Sequence, residues 1–271
     1  MEFSKRVAVI TGGGSGIGRA VAAAMARRDV SAVALVDVSE AIEGVAEKLN
    51  VEAGRTFAIP FQGDTTDAAF RAQVFDSISR KFGRVSLCVP AAGITRDDLA
   101  VRVDKATGKA RIYPLDLFKA VVDVNLIAPV YWALEMIGRI AEDRAAKGLK
   151  RWVADEGMQG SVVFIGSISS QGNRGQISYA STKAGLKGAA ATIMKEAIFH
   201  GVRCGVIHPG FTDTPMVRAM GMDYVAKNIL PYTQLGRLIQ PEEIADAICF
   251  MLTNSAVSGE LWVDAGWHAP A

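Results

Sequence analysis

Short runs of β-branched and other apolar residues alternate with longer segments of helical periodicity along this chain. The predicted strands cover residues 7–10, 32–36, 57–61, 86–89, 161–165, 203–208 and 260–263. The predicted helices between them include residues 18–28, 67–81, 117–140 and 179–199. Strands that are apolar along their whole length are buried on both faces, and helices between them indicate parallel pairing. The alternation therefore predicts an α/β fold whose parallel sheet is covered by helices on both faces.

Length and charge favour one large domain and limit the kinds of partner. The apolar half of the 271 residues can fill a single core, and no repeat or linker divides it, so we expect one domain over residues 1–271. A net charge of +2, with both signs mixed throughout, indicates neither a nucleic-acid nor a membrane partner. The charges of the stretch 142–156 cancel, which predicts a solvated helix end and loop.

Cysteine and histidine usage indicates a reducing compartment and no metal site. The three cysteines are scattered, which predicts buried free thiols, and the three histidines do not group with them at metal-ligand spacing. These residues are Cys88, Cys204, Cys249, His200, His208 and His268. The N-terminus is too short and polar for a signal peptide, and no apolar run approaches the ~20 residues of a membrane span. We therefore expect a soluble, cytoplasmic protein.

A glycine-rich turn follows the first predicted strand and leads directly into a helix. From Thr11 to Gly18 its pattern is T-G-x-x-x-G-x-G, which differs from the G-x-G-x-x-G spacing. Glycines permit a tight turn and a close approach of the backbone to a pyrophosphate, whose charge the helix N-terminus stabilises. Glycines alone form many ordinary turns, but the strand before and the helix after favour a dinucleotide phosphate site.

Two acidic residues, at the ends of the second and third predicted strands, lie where the adenosine part of a dinucleotide would bind. Asp37 ends the second strand, where a carboxylate can accept hydrogen bonds from the adenosine ribose and repel a 2′-phosphate. The positions that could have carried a base for that phosphate hold Ser15 and Val38, so we expect NAD and not NADP as the cofactor. Asp64, after the third strand, is placed to reach the adenine amino group. Alternatively, Asp37 caps the following helix and Asp64 is a cap or turn residue.

Tyr179 and Lys183 lie four residues apart in a predicted helix, so their side chains share one face. Tyrosine has an ordinary pKa of about 10, and a fixed positive charge nearby favours the phenolate. The pair predicts a proton-transfer site, although this spacing occurs by chance in many helices. The glycine-rich turn and Ser167, at the end of an apolar run, strengthen the prediction.

Taken together, these residues resemble the short-chain dehydrogenase/reductase family over essentially the whole chain. The matching positions are residues 11–18, Ala92, Gly93, Asn125, Ser167, Tyr179, Lys183, Pro209, Gly210 and Thr214. The resemblance implies a single Rossmann-type domain with a doubly wound parallel sheet of about seven strands, usually assembled as a homotetramer. It also implies an oxidoreductase that moves a hydride between a nicotinamide cofactor and a secondary alcohol or ketone.

The family's catalytic tetrad corresponds in this chain to Asn125, Ser167, Tyr179 and Lys183. By resemblance, Tyr179 donates a proton to the carbonyl oxygen in reduction and removes it from the alcohol in oxidation. Lys183 lowers the pKa of the tyrosine and holds the nicotinamide ribose. Ser167 hydrogen-bonds the substrate oxygen, and Asn125 anchors a water chain from the lysine to solvent. Considered singly, Ser167 and Asn125 could each make an ordinary structural hydrogen bond.

The resemblance extends the cofactor site well beyond the glycine-rich turn, with Thr214 expected at the nicotinamide carboxamide. The expected cofactor-binding residues are Gly12, Ser15, Gly16, Ile17, Gly18, Asp37, Asp64, Thr65, Ala92, Gly93, Tyr179, Lys183, Pro209, Gly210, Thr212 and Thr214.

Two departures from the family pattern affect the expected site. Pro90-Ala91 replaces the usual Asn pair, which removes side-chain hydrogen bonds but not backbone contacts to the cofactor. Ser167 precedes Tyr179 by twelve residues, where thirteen is common. Ser169 and Ser170 are nearby competitors for the role of Ser167, which best matches the strand end.

Several segments indicate an acyl thioester as the substrate. Residues 94–98 and 172–176 resemble the 3-oxoacyl-thioester reductase branch, although the expected NAD preference disagrees with that branch's usual NADP-dependent role. Residues 101–113 resemble an insertion in NAD-dependent short-chain 3-hydroxyacyl-CoA dehydrogenases. There Lys105, Lys109 and Arg111 could meet coenzyme A phosphates or simply belong to a solvated loop. We therefore expect a 3-hydroxyacyl or 3-oxoacyl thioester.

Residues 215–235 are expected to form a lid over the substrate. Its methionines Met216, Met220 and Met222 suit an apolar acyl or cyclic substrate, or ordinary packing. The main alternative is an NAD-dependent dehydrogenase of a sterol, cyclic or other small secondary alcohol. From another class, the chain could be a non-catalytic NAD-binding regulator or a structural subunit. An intact tetrad argues against that class.

Overall fold

Nine strands and nine α-helices lie along residues 2–267, the part of the chain that the computed structural model describes. The strands are β1 (Val7–Thr11), β2 (Ala32–Asp37), β3 (Ala58–Gln62), β4 (Val85–Pro90), β5 (Val101–Val103), β6 (Ala110–Ile112), β7 (Gly160–Ile165), β8 (Val202–Pro209) and β9 (Gly259–Val263). The α-helices are α1 (Gly16–Ala26), α2 (Ile42–Ala53), α3 (Ala68–Phe82), α4 (Leu115–Val122), α5 (Ala128–Ala146), α6 (Ile177–Ala197), α7 (Pro215–Arg218), α8 (Met222–Asn228) and α9 (Pro241–Thr253).

The central sheet has seven strands in the order β3-β2-β1-β4-β7-β8-β9, and every neighbouring pair is parallel. This arrangement confirms the predicted Rossmann-type α/β fold. The chain runs outward from β1 to β3 and then returns across the sheet to β4. The carboxyl ends of β1 and β4 therefore flank the point where the winding direction changes, and ligands of such sheets bind in that crevice.

Helices cover both faces of the sheet, which explains why its strands are apolar throughout. Helices α1, α2 and α9 pack on one face, and α3, α5 and α6 pack on the other. Successive side chains of a strand point to opposite faces. In β1, Ala8 and Ile10 join the first core, while Val7 and Val9 join the second.

A single π-helical turn, Asp123–Ile127, joins α4 to α5 in one helix of 32 residues, Leu115–Ala146. Pro129 has no N–H to donate to the carbonyl of Asn125, which an α-helix would require, so the helix widens there. By length and composition alone this helix could cross a membrane, although charged residues interrupt its apolar runs, as expected from the sequence. Its Trp132, Met136 and Ile140 are buried in the core of the second face, so it is a core helix of this domain.

The inserted segment before α4 is a β-hairpin and not a plain solvated loop. Strands β5 and β6 pair antiparallel, with Arg102 opposite Arg111. Both guanidinium groups contact the carboxylate of Asp98, at 3.0 and 2.6 Å. Two of the basic groups in this region are therefore already paired within the protein.

The stretch 142–156 is mostly an exposed helix end and loop, as expected, but Arg144 departs from that expectation. Arg144 is 2 % exposed, pairs with Glu156 and donates to the carbonyl oxygen of Lys150 at 3.0 Å. The carboxylate and the carbonyl replace the water that the two terminal nitrogens of the guanidinium lose, while its Nε is buried without a hydrogen-bond partner. Elsewhere, no helix was assigned from the sequence to Ile42–Ala53 or Pro241–Thr253, where the structure has α2 and α9.

The remaining expectations concern thiols, histidines and the lid. The three cysteines are free and buried, as predicted. Among residues 2–267 no group of three His, Cys, Asp or Glu side chains could hold a metal ion, and His268 lies outside the described residues. Residues 215–235 contain α7 and α8, and Val225 of α8 and Ile229 just after it pack with Leu238. The role of this segment as a lid stays a prediction.

Candidate active site

Close backbone packing explains the glycine-rich turn between β1 and α1. Gly12 has a φ of +66°, and a Cβ on it would lie 2.7 Å from the backbone nitrogen of Ala92. A Cβ on Gly18 would lie 2.3 Å from the carbonyl oxygen of Gly12. Larger residues at either position would push the turn away from α1 and from the loop after β4. The start of α1 is thereby held open toward the crevice.

Asp37 stands at the end of β2 with its carboxylate turned toward this turn. It accepts hydrogen bonds from the N–H groups of Gly14, at 2.9 Å, and Ser39, at 3.0 Å. Helix α2 has Ala41 at its N-cap, so Asp37 does not cap that helix. The neighbouring Val38 is 70 % exposed at the rim.

Asp64 forms a local turn as well as facing the crevice. Its carboxylate accepts from the backbone N–H and the hydroxyl of Thr66, both at 2.8 Å. The N-cap of α3 is Asp67, which accepts from the N–H groups of Ala69 and Phe70. The turn interpretation of Asp64 is therefore correct, and Asp64 also lines the cavity in the crevice.

A cavity of about 440 Å³ occupies the crevice and gathers most of the predicted cofactor-binding residues. It is lined by Gly12, Ser15, Gly16, Ile17, Gly18, Asp37, Asp64, Thr65, Ala92, Gly93, Tyr179, Lys183 and Thr214. A smaller cavity of about 140 Å³ adjoins it and is lined by the other three, Pro209, Gly210 and Thr212. Tyr179 and Thr214 line both cavities, so the two meet at the predicted catalytic tyrosine.

Lys183 lies beneath the ring of Tyr179 on α6, as their spacing predicted. Its ammonium is 5.4 Å from the ring centroid and donates to the carbonyl oxygen of Ile165 at 2.8 Å. Lys183 is buried, whereas Tyr179 keeps part of its surface exposed to the cavities. Burial lowers the pKa of Lys183 to about 8.

The pKa of Tyr179 moves in the direction opposite to the sequence-based expectation. Burial raises it to about 12, a hydrogen bond with the Ser167 side chain lowers it, and the charge of Asp97 raises it. Desolvation disfavours the phenolate, and the lysine that was expected to offset this effect is itself desolvated. The protein alone therefore keeps Tyr179 as a protonated phenol, ready to donate.

Ser167 is the serine that faces Tyr179 among the three candidates after β7. It is the N-cap of a short 3-10 helix, Ile168–Gln171, and its hydroxyl accepts from the N–H of Ser169 at 3.1 Å. The buried hydroxyl of Ser169 donates instead to Gln176 at 2.8 Å, and that of Ser170 faces His208 at 3.1 Å.

Asn125 supports the site from behind and does not line either cavity. It is fully buried in the π-helical turn, where its amide accepts from the N–H of Ile94 and donates to the carbonyl oxygen of Ile94, both at 2.8 Å. These bonds hold the loop that carries Ala92 and Gly93. The expected water chain through Asn125 stays a prediction.

The loop after β4 keeps its backbone contacts although Pro90-Ala91 replaces the usual Asn pair. The N–H of Ala91 donates to the carbonyl oxygen of Thr11 at 3.1 Å. The N–H of Ala92 donates to the Thr11 hydroxyl at 3.2 Å. Thr11, which is buried, therefore joins β1 to this loop directly.

Two contacts near the site were not anticipated from the sequence. Trp132 on α5 donates through Nε1 to the carbonyl oxygen of Thr65 at 2.9 Å and supports the loop after β3. Gln176 donates to Asp97 at 2.8 Å, which places a carboxylate in the smaller cavity. Both partners lie far away in sequence, so no local pattern indicates these contacts.

The fold and the crevice together define a nucleotide-dependent oxidoreductase in which a tyrosine next to a buried lysine faces a serine. The sequence profile described as short chain dehydrogenase matches residues 6–224. The chain is 30% identical over 272 residues to 3-oxoacyl-[acyl-carrier-protein] reductase from Escherichia coli, covering 99% of both chains. It is 30% identical over 266 residues to (3R)-3-hydroxyacyl-CoA dehydrogenase from Canis lupus familiaris, covering 94% of this chain and 92% of the relative.

Other similar proteins include a cyclic-alcohol dehydrogenase and a solved structure. The chain is 31% identical over 274 residues to cis-4-hydroxycyclohexanecarboxylate dehydrogenase from Sinomonas cyclohexanicum, covering 98% of both chains. A short-chain type dehydrogenase/reductase from Mycobacterium marinum has the same fold, with a TM-score of 0.82, 23% identity, and coverage of 99% of this chain and 98% of that chain. The protein belongs to the short-chain dehydrogenase family, whose members use a nicotinamide dinucleotide to interconvert alcohols and ketones.

Proposed function

We propose that the protein is an NAD-dependent oxidoreductase that interconverts a 3-hydroxyacyl thioester and its 3-oxoacyl counterpart. The observation that carries this proposal is the meeting of Ser167, Tyr179 and Lys183 where the two cavities join. The larger cavity fits a dinucleotide. It is bordered by backbone N–H groups of the glycine-rich turn, by the N-terminus of α1, and by Asp37 and Asp64 at the ends of β2 and β3. When bound, the nicotinamide supplies or accepts the hydride.

The residues of this chain handle the proton and the substrate oxygen. In reduction, the phenol of Tyr179 donates its proton to the carbonyl oxygen, and in oxidation the phenolate removes the alcohol proton. Ser167 donates a hydrogen bond to the same oxygen, where negative charge develops. The ammonium of Lys183, held by Ile165, stabilises the phenolate that remains after reduction.

Charge at the rim of the larger cavity supports NAD as the cofactor. Asp37 offers carboxylate oxygens to the adenosine ribose, and Ser15 and Val38 provide no cation for a 2′-phosphate. Both neighbours line the same cavity as Asp37. A negative charge at this point would repel the extra phosphate of NADP.

The lining of the smaller cavity supports a substrate whose reacting part is uncharged. Among its described lining residues Asp97 carries the one formal charge, and Phe211, Met216 and Met220 provide apolar surface. A thioester is neutral near its 3-carbon and carries its phosphates far away, whereas Asp97 would repel a small carboxylate. The relatives named for 3-oxoacyl and 3-hydroxyacyl substrates agree with this choice.

A cyclic secondary alcohol is the second candidate, because one similar protein is named for hydroxycyclohexanecarboxylate. The apolar side of the smaller cavity would accept a ring as well as an acyl chain. Asp97 argues against the carboxylate of that particular compound, so an uncharged cyclic alcohol is the form to test.

We also propose a cytoplasmic homo-oligomer, most simply a tetramer. Helix α5 and the turn before it expose Ile127, Tyr131 and Leu134, which follow one another at helical spacing along one side. Exposed apolar stripes of this kind mark protein interfaces. Light scattering after size-exclusion chromatography measures the assembly, and a monomer at micromolar concentration would contradict it.

The direct test follows absorbance at the reduced-nicotinamide band with acetoacetyl-CoA, using NADH and NADPH in parallel. We expect NADH to be oxidised faster than NADPH.

Tyr179→Phe should reduce turnover by about 100- to 10,000-fold while cofactor affinity changes little. Tyr131→Phe is the matched control and should remain active. If Tyr179→Phe turns over normally, the proton-transfer assignment fails. If neither cofactor is consumed, the thioester assignment fails and uncharged cyclic alcohols are tested with NAD. Cofactor binding without any turnover would favour a non-catalytic regulator or structural subunit.

A further inference from the structure

A buried histidine lies directly behind the predicted catalytic serine and takes no part in the reaction described above. His208, at the end of β8, is fully buried. Its Nδ1 is 3.4 Å from the backbone nitrogen of Ser167, 3.2 Å from the carbonyl oxygen of Ser167 and 3.1 Å from the hydroxyl oxygen of Ser170. Its other ring nitrogen, Nε2, lies 3.0 Å from a carboxylate oxygen of Glu260.

The surroundings hold the imidazole in one orientation. The ring stacks on Trp262 of β9, with centroids 4.1 Å apart. On the β7 side Gly166 leaves no room for a side chain, because a Cβ there would be 2.4 Å from Nδ1. The charged groups acting on His208 within the described chain are Glu260 of β9 and Lys187 of α6, whose ammonium lies 3.2 Å from the same Glu260 oxygen. The short 3-10 helix contributes only the uncharged Ser170 hydroxyl and the backbone of Ser167.

These contacts determine where the proton of the neutral imidazole resides. A carboxylate accepts hydrogen bonds only, so Nε2 carries the proton and donates a hydrogen bond to Glu260. Nδ1 then has a lone pair, which accepts from the hydroxyl of Ser170 and from the N–H of Ser167, an N–H that is shared with the Ser170 oxygen at 3.3 Å. Protonation of Nδ1 turns it into a donor, which can bond the carbonyl oxygen of Ser167 or the hydroxyl oxygen of Ser170 and no longer accepts from the N–H of Ser167. The neutral ring therefore holds the N–H of Ser167, and the protonated ring releases it.

We propose that neutral His208 is a positioning residue that holds Ser167 in its active orientation, and that protonating His208 reversibly switches off ketone reduction. This inference rests on the proposed role of Ser167. A shift of the Ser167 backbone moves its hydroxyl relative to Tyr179, and a displacement of about 1 Å in an active site can cost on the order of 100-fold in rate. Burial lowers the pKa of His208 below its ordinary 6.5, so the neutral form is present at pH 7.

The pH profile of kcat for ketone reduction isolates this effect. Tyr179 acts as the acid in this direction and stays protonated over the whole acid range, so it adds no decline there. At saturating cofactor and substrate, we expect the wild-type kcat to fall below the pKa of His208. His208→Asn keeps an acceptor near the Nδ1 position but cannot titrate. Its kcat should stay within a few-fold at neutral pH and lose the acid decline. His208→Leu has no acceptor and should lose about 10- to 100-fold at all pH values.

Two neighbouring charges should move the acid decline in opposite directions. Glu260 raises the pKa of His208 and Lys187 lowers it. Glu260→Gln should therefore shift the decline to lower pH, and Lys187→Met should shift it to higher pH. Lys195→Met, an exposed lysine on the same helix, is the matched control and should leave the profile unchanged.

Nitrogen NMR of the imidazole provides a readout that does not depend on activity. The His208 signal is assigned as the one that is absent from the spectrum of His208→Asn. In the wild type at pH 7, its chemical shifts should be those of a neutral ring protonated at Nε2. A ring protonated at Nδ1, or an acid decline unchanged in His208→Asn and in both charge variants, would overturn the proposal. Ser167→Ala separates the two hypotheses. If it retains full activity, the proposed role of Ser167 fails. If it is inactive while the His208 variants keep the wild-type profile, only the present inference fails.

Discussion

Removing the carboxylate of Asp37 should change the cofactor preference of the protein more than its overall cofactor affinity. The carboxylate is fixed by the N–H groups of Gly14 and Ser39, at 2.9 and 3.0 Å, and each oxygen keeps a free lone pair. Hydrogen bonds to a charged group contribute about 1.5–3 kcal/mol. If those lone pairs bind the ribose, Asp37→Ala should weaken NADH binding about 10- to 100-fold.

The same substitution should not weaken NADPH binding. A carboxylate and one phosphate charge about 4 Å apart repel each other by ~1 kcal/mol in water and ~4 kcal/mol near a protein surface. Asp37 is partly exposed, so the lower part of this range applies. Relief of that repulsion should improve NADPH binding up to about tenfold. Together the two effects should lower the ratio of the NADPH Kd to the NADH Kd by about 100-fold.

Asp37→Asn is the matched control because it keeps an acceptor for the turn but removes the charge. Neutral hydrogen bonds are about half as strong as charge-assisted ones, so its NADH affinity should fall less than that of the alanine variant. Fluorescence titration of each reduced cofactor at fixed ionic strength measures both constants, and thermal unfolding without cofactor reports on the turn itself. Equal losses for NADH and NADPH together with lower thermal stability would refute the charge argument and show that Asp37 only braces the turn.

Three further outcomes follow from the geometry. Because burial raises the pKa of Tyr179 to about 12, the rate of alcohol oxidation should increase as the pH rises through neutrality. An oxidation rate that does not change between about pH 6 and pH 10 would contradict this assignment. Trp132→Phe removes the hydrogen bond to Thr65 and leaves a small cavity. It should therefore lower the free energy of unfolding by about 2–3 kcal/mol and the urea midpoint by roughly 1 M. An unchanged midpoint would show that the hydrogen bond does not stabilise the fold. If the lysines of the β5–β6 hairpin bind coenzyme A phosphates, replacing Lys105 and Lys109 by Gln should raise the KM for acetoacetyl-CoA but not the KM for a truncated thioester. If the variant and the wild type have the same KM for acetoacetyl-CoA, the hairpin is only solvated.

The sheet and most of the site could be predicted from the sequence because their signals are local. A strand buried on both faces is an unbroken apolar run, so the predicted boundaries lie within one or two residues of those observed. Residues 203–208, for example, correspond to the strand Val202–Pro209. The cofactor-facing residues lie at the carboxyl ends of such strands, and in a parallel sheet those ends meet at one edge.

The features that were missed depend on contacts between distant parts of the chain. Arg144 looks solvated in the sequence because its partner Glu156 lies in a separate turn. The histidine behind Ser167 acquires its partners from strand register, which places Trp262 opposite His208 and Glu260 beside it. The raised pKa of Tyr179 likewise follows from burial, which the spacing of Tyr179 and Lys183 does not reveal.

Gly166 and His208 occupy a volume that admits one side chain. A methyl group at position 166 would lie 2.4 Å from the imidazole, so Gly166 cannot be exchanged for a larger residue while His208 is present. Among homologues the two positions should co-vary: an imidazole at 208 should accompany glycine at 166, and larger residues at 166 should accompany smaller ones at 208. A chimera that joins β7 of one such homologue to β8 of another would inherit a steric conflict that neither parent contains.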